Sequence, residues 1–154
     1  MIEFLRVDHR LLHGQVAVSW FNALDVNTIF VVNDDVAKDD FRKSAIRLAK
    51  PESAKLVMKS VDDAIQAINS GVTDKYKLFI VAESVGDAAK LIEGTGDKIK
   101  VLNLGGTKKR EGTTNFSKAV NLTSEEVDQA HALQQKGVDV FIQQVPSERK
   151  EEFK

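Results

Sequence analysis

Residues 6–16 read RVDHRLLHGQV. An apolar, strand-like run ends in Asp8, His9 and Arg10, and a helical pattern begins near Gly14–Gln15. The chemistry these residues support centres on His13. It precedes the helix start, where free backbone N–H groups and the positive helix end favour an anion. Gly14 lets the backbone approach a ligand closely. Arg10 can clamp a phosphate through two parallel hydrogen bonds. Gln15 falls in the same anion-binding turn. A neutral imidazole keeps a free lone pair, which is its nucleophilic form. Asp8 could hold an imidazole N–H or orient Arg10. These parts suit a histidine that accepts and passes on a phosphoryl group, because that chemistry needs mostly positioning and charge stabilisation.

Other readings compete. A histidine at a loop–helix junction is often structural, and residue types alone leave that open. His9 and His13 stand four apart, like a zinc pair on a helix. Arg10 occupies the place where a metalloprotease helix carries Glu, and no third ligand is evident, so no metal site is expected. His9 reads as a hydrogen-bonding neighbour, and His131 as a surface residue. The stretch GGTKKREG (105–112) resembles a phosphate loop but lacks the GxxxxGK[ST] spacing. EGTGD (93–97) follows a helix instead of a strand, so it is no dinucleotide fingerprint. There is no GxSxG elbow. NDDVAKDD (33–40) could bind magnesium, or mark a helix start enriched in acids that the helix dipole favours. No cofactor is expected.

The elements that must position His13 follow from periodicity. Strand patterns lie at 2–8, 27–33, 54–60, 75–82, 98–104, 119–123 and 138–145. Helical spacing appears in 15–25 (Ala17, Trp20, Phe21, Leu24) and in 36–50, where Ala37, Phe41, Ala45 and Leu48 mark one face. Ser60 with Asp63, Ser84 with Asp87, and Thr123 with Glu126 can cap three further helices. Gly71, Gly94 and Gly137 end them, and Pro51 stops the helix over 36–50. Residues 105–112 read as a polar loop or hairpin. Residues 146–154 read as a charged tail, helical or frayed.

Strands alternating with helices predict an α/β fold. It is an open, twisted, mostly parallel sheet with helices on both faces, in one domain over 1–154. Ligands bind such sheets beyond the carboxyl ends of the strands. The segments there are Asp8–Gly14, Asn33–Asp35, Ala82–Ser84 and Asn103–Gly106. Asn33, Asp34, Asn103, Gly105 and Gly106 are therefore the loop residues expected near the histidine.

Composition narrows the class. Lys and Arg number 22 against 23 Asp and Glu, so no basic field points to nucleic acid or a membrane surface. There is no cysteine, which excludes disulfides and thiolate metal sites. Charged residues interrupt the first 30 positions, unlike a signal peptide. No apolar run approaches the roughly 18 residues of a membrane helix. A cytoplasmic protein is expected, taken to any membrane by another protein. Neither a heptad nor an apolar stripe decides whether it forms a homo-oligomer.

RVDHRLLHGQV resembles the signature of the IIB component of the mannose–fructose–sorbose type of bacterial sugar phosphotransferase system. That signature reads roughly R-[IV]-D-[DH]-R-L-[IL]-H-G-Q-V. The resemblance continues at VVNDDVAKDDFRK (31–43) and at NLGGTKKREG (103–112), and so spans nearly the whole chain. It implies that His13 receives a phosphoryl group on Nδ1 from a IIA protein. The group then passes to a sugar entering through membrane IIC and IID components. Arg10 is implied to lie beside the phosphoryl group. The chain is implied to be an isolated IIB, associated peripherally with the inner face of the membrane through IIC and IID. Many members carry Asp where His9 stands. The alternative reading is a non-catalytic α/β module that holds an anionic or phosphorylated ligand at the same helix end.

Overall fold

The computed structural model describes all 154 residues. In chain order it runs β1 (Ile2–Asp8), α1 (Gly14–Ala23), β2 (Thr28–Val32), α2 (Asp34–Ala37), α3 (Asp40–Leu48), β3 (Lys55–Lys59), α4 (Val61–Ser70), β4 (Leu78–Ala82) and α5 (Val85–Gly94). It continues through β5 (Val101–Gly106), β6 (Thr113–Asn115), β7 (Asn121–Thr123), α6 (Ser124–Gln135), β8 (Asp139–Ile142) and β9 (Glu151–Glu152). The main sheet has the order β3-β2-β4-β1-β5-β8-β9. Every pairing in it is parallel except β8 with β9. β6 and β7 form a separate antiparallel hairpin.

β1 lies between β4 and β5, so the chain crosses over it in passing from one to the other. Such a switch point opens a crevice at the carboxyl end of the strands. Alternation along β1 divides the interior in two. Leu5 and Val7 join the core covered by α4, α5 and α6. Phe4 joins the core covered by α1 and α3, with Trp20, Phe21, Ile46, Phe79 and Phe141. Helices thus cover both faces, as the pattern predicts. Arg6 and Asp8 share the Phe4 face, which places charge inside the sheet at its carboxyl end.

Local signals set the helix ends. Ser60 and Ser84 accept the N–H groups of Asp63 and Asp87, each at 3.1 Å. Thr123 and Glu126 form a reciprocal capping box. Gly71 closes α4 in the left-handed region at φ 85. After α5 that region belongs to Gly96, because Gly94 is still helical.

Four expectations need correction. The stretch 36–50 is two helices, because the Asp39 side chain accepts the N–H groups of Phe41 and Arg42 and starts α3 afresh. The break resets the helical phase. Ile46 packs inward, while Phe41 and Leu48 are 84% and 90% exposed. The tail is neither helical nor frayed: β9 pairs with β8, and Phe153 is buried against Phe116 and His131. His131 is accordingly half-buried. Gly105 and Gly106 belong to β5, not to the following loop.

Candidate functional site

The link from β1 to α1 is a tight turn. Leu11 N–H donates to the Asp8 carbonyl at 2.8 Å. Arg10 N–H donates to Asp8 Oδ1 at 3.0 Å, the local bond by which aspartates favour turns. Leu11 sits at φ 60. A non-glycine residue there costs roughly 1–2 kcal/mol. Its side chain and that of Leu12 are buried in the α1 and α3 core, which offsets that cost and anchors the turn. Gly14 has φ 40, and a β carbon on it would meet nothing within 4 Å. Its requirement for glycine is therefore one of backbone angle, not of space.

Beneath the turn lies a buried charge network. Arg6 is 2% exposed and Asp8 0%. Arg6 Nη2 donates to Asp8 Oδ2 at 3.1 Å, and Nη1 donates to Asn103 Oδ1 at 2.6 Å and to the Gln143 carbonyl at 3.2 Å. Trp20 covers the guanidinium, with its ring centroid 5.5 Å from Cζ. Its own N–H donates to the Gln144 carbonyl. Burial pulls the Arg6 guanidinium down from its ordinary pKa, against the nearby Asp8 charge. Burial is also the largest influence on Asp8 and acts to raise its pKa. The hydrogen bonds from His13 and from the Arg10 N–H, with the Arg6 charge, together outweigh it and hold the carboxyl below its usual range. Asp8 is therefore ionised at neutral pH.

An ionised carboxylate only accepts. His13 Nε2 lies 3.0 Å from Asp8 Oδ2, so in a neutral ring Nε2 carries the proton and Nδ1 the lone pair. The ring is 23% exposed. Past it, the first bond of α1 runs from Ala17 N–H to the His13 carbonyl, and the N–H groups of Gly14, Gln15 and Val16 have no acceptor in the chain. His13 itself makes no side-chain cap. Arg10 is half-exposed, with Nε 3.8 Å from Asp8 Oδ1. The imidazole, three N–H donors without an acceptor and a half-exposed guanidinium beside Asp8 thus gather at the start of one helix. That set can hold an anionic group against Nδ1.

The remaining expected residues take different places. Gly14 and Gln15 are exposed at the helix start. Asn103 belongs to the buried network, and Gly105 packs against the Arg6 guanidinium. The Gly106 carbonyl accepts the His9 N–H at 2.9 Å. The His9 ring is 4.0 Å from Asp8 Oδ1, whereas His13 contacts Oδ2. Asn33 and Asp34 stand apart from His13. Asn33 caps α2 and donates to Glu83, and Asp34 accepts the Val61 N–H. Asp39 and these two residues give NDDVAKDD the duties of a helix start. Arg6, Gln143 and Trp20 were not singled out from sequence. The signal for Arg6 was an arginine within an apolar strand, two residues before an aspartate on the same face.

Fold and site together define an open α/β protein that presents one nitrogen of a fixed histidine at a helix N-terminus, at the switch point of its sheet. Comparison with known proteins places it further. Residues 2–154 match the family model described as PTS system sorbose subfamily IIB component. The chain is 31% identical over 152 residues to the PTS system fructose-specific EIIB component of Bacillus subtilis (strain 168), covering 99% of this chain and 93% of that one. It is 32% identical over 148 residues to the PTS system sorbose-specific EIIB component of Lacticaseibacillus casei, covering 96% and 90%. The crystal structure of the PTS system N-acetylgalactosamine-specific IIB component 1 from Escherichia coli superposes with a TM-score of 0.93 at 30% identity, over the full length of both chains. The chain belongs to the sorbose-subfamily IIB components of the sugar phosphotransferase system.

Proposed function

We propose that the chain is a phosphoryl carrier in which His13 Nδ1 takes a phosphoryl group from a phosphorylated IIA protein and gives it to a sugar. The observation that carries this reading is the His13–Asp8 contact. It commits Nε2 and leaves the Nδ1 lone pair at a helix start with spare N–H donors. In the first step the lone pair attacks phosphorus, and the P–N bond to the donor imidazole breaks with its electrons returning to that ring. The Gly14, Gln15 and Val16 N–H groups and the Arg10 guanidinium balance the phosphoryl oxygens. Asp8 stabilises the ring as positive charge develops on it. In the second step a sugar hydroxyl oxygen attacks phosphorus and gives up its proton to solvent, while the P–Nδ1 bond breaks with its electrons returning to the ring, which leaves as neutral imidazole.

The sugar would arrive through membrane IIC and IID components, with this chain working on the cytoplasmic side. No helix of the chain is long and apolar enough to cross a membrane. The named fructose and sorbose relatives are equally similar to it, which fits a sugar choice made by the membrane partners.

The test is intact mass after incubation with phosphoenolpyruvate, the general phosphotransferase proteins and mannose-family IIA proteins. A gain of one phosphoryl group, lost in acid and absent in His13→Ala, supports the carrier. An unmodified chain beside phosphorylated IIA proteins, with reversible phosphate binding, replaces it with an anion-binding module.

A further inference from the structure

The carboxyl edge of the sheet is graded in charge. Along it the strand ends follow β2, β4, β1, β5, a span of roughly 14 Å at the usual strand spacing. Past β2 and β4 stand Asp34, Asp35 and Glu83, and Asp87 opens α5 beside them. These four share one corner. Burial first, then the Asp34 charge, push the Asp87 carboxyl up, with Glu83 and Asp35 adding and Lys90 opposing. Arg42 offsets part of this from 3.8 Å to Glu83. Beyond β5 the chain exposes Lys108, Lys109 and Arg110, followed by Glu111. Arg110 pairs with Glu126 at 2.7 Å. The two lysines make no ion pair. A polar cleft of about 350 Å³ lies at this edge, lined by His9, Glu83, Ser84, Lys108, Arg110 and Glu126. The β1 turn with His13 stands between the lobes.

Phe41 immediately precedes Arg42, which reaches Glu83 in the acidic corner. It opens α3 next to Arg42 and is 84% exposed. The stop at Asp39 holds it outward, so its exposure follows from the fold.

Nδ1 sits on a turn at the surface, so a protein-borne phosphoryl group must reach it across a protein–protein contact. A standard interface covers roughly 800 Å² per partner, a disc of roughly 16 Å radius. Centred on His13, it takes in both lobes. The lobes are opposite in sign, so their effect is to orient. A partner rotated by half a turn meets like charge on both sides, which complementary patches penalise.

We propose that this graded face docks the phosphoryl-donor protein in one rotational register. The donor's basic patch covers the Asp35–Asp87 corner, its acidic patch covers Lys108–Arg110, and an apolar hollow takes Phe41. The inference rests on the carrier reading above. An aromatic anchor beside charged flanks is a common way for a brief contact to hold.

The test is the second-order rate of phosphoryl transfer, by rapid quench, from a phosphorylated mannose-family IIA protein that modifies the wild-type chain. Variants are Lys108→Glu with Lys109→Glu, Asp35→Lys, and Phe41→Ser, with thermal melting to check folding. Each charge reversal is expected to slow transfer at least about tenfold at low salt, with the difference closing at high salt. Phe41→Ser is expected to slow transfer several-fold at every salt concentration. Unchanged rates in all three, with normal wild-type transfer, would overturn the docking register and leave the carrier standing. Failure of the wild type to accept phosphate is the separate failure of the carrier reading, and the register falls with it. If the double lysine variant instead loses binding to anionic lipid vesicles while its transfer rate holds, the basic lobe serves a membrane and the proposal is overturned.

Discussion

Alanine at Gly105 tests the buried network most directly. The register between β1 and β5 shifts between Val7 and Asp8, so Gly105 is the extra residue of a bulge. Its φ is not positive, so alanine strains no backbone angle. Its β carbon would instead fall within the Arg6 guanidinium. Arg6 must then leave its bonds to Asn103, Asp8 and the Gln143 carbonyl. Breaking a buried ion pair costs about 3–5 kcal/mol. Gly→Ala recovers about 0.4–1 kcal/mol through the unfolded chain. The net loss is about 2–4.6 kcal/mol. In a chain of this length that lowers Tm by about 5–15 °C. Gly106→Ala is the control, because its β carbon would stand 3.4 Å from Asp8 Oδ1, an ordinary contact. Thermal unfolding followed by Trp20 fluorescence reads both variants, and Trp20 also reports the guanidinium it covers. If Gly105→Ala melts within a degree or two of wild type, Arg6 is not held as described.

Further outcomes follow from the same contacts. Asp8 has a lowered folded pKa, so the stability it contributes is whole above the ordinary aspartate value of about 3.9 and drains away as pH falls through the lowered one. Asp8→Asn should therefore be less stable than wild type at neutral pH and decline less in acid; equal urea-midpoint slopes in the two proteins below about pH 4 would contradict this. Arg10→Lys should transfer phosphate more slowly than wild type, since an ammonium cannot form the planar fork, and an unchanged single-turnover rate would remove Arg10 from the site. Thr123→Ala breaks the capping box of α6 and should cost about 1 kcal/mol, read as a shift in urea midpoint with transfer intact.

The sequence was most legible where causes are local. Ser60, Ser84 and Thr123 mark their helix starts because a cap needs only the next three residues. His13 and Gly14 mark a candidate anion site because a helix start supplies its own donors. Other features depended on partners distant in sequence. Arg6 acquires meaning only when β5 brings Asn103 and Gly105 beside it and β8 brings the Gln143 carbonyl. The tail becomes β9 only because β8 offers it an edge and the core has room for Phe153. Within 36–50 the sequence carries a second signal, the cap at Asp39. The apolar spacing of Phe41, Ala45 and Leu48 was real, and Asp39 turned that face to solvent by restarting the helix.

The claim on which the account rests is that Asp8 commits Nε2 and leaves Nδ1 to react. Nitrogen NMR of ¹⁵N-histidine-labelled protein tests it before and after phosphorylation. The expected result is one proton, on Nε2, in the neutral His13 ring, and phosphorus bonded to Nδ1 in the phosphorylated protein. Phosphorus on Nε2, or on His9, would contradict it.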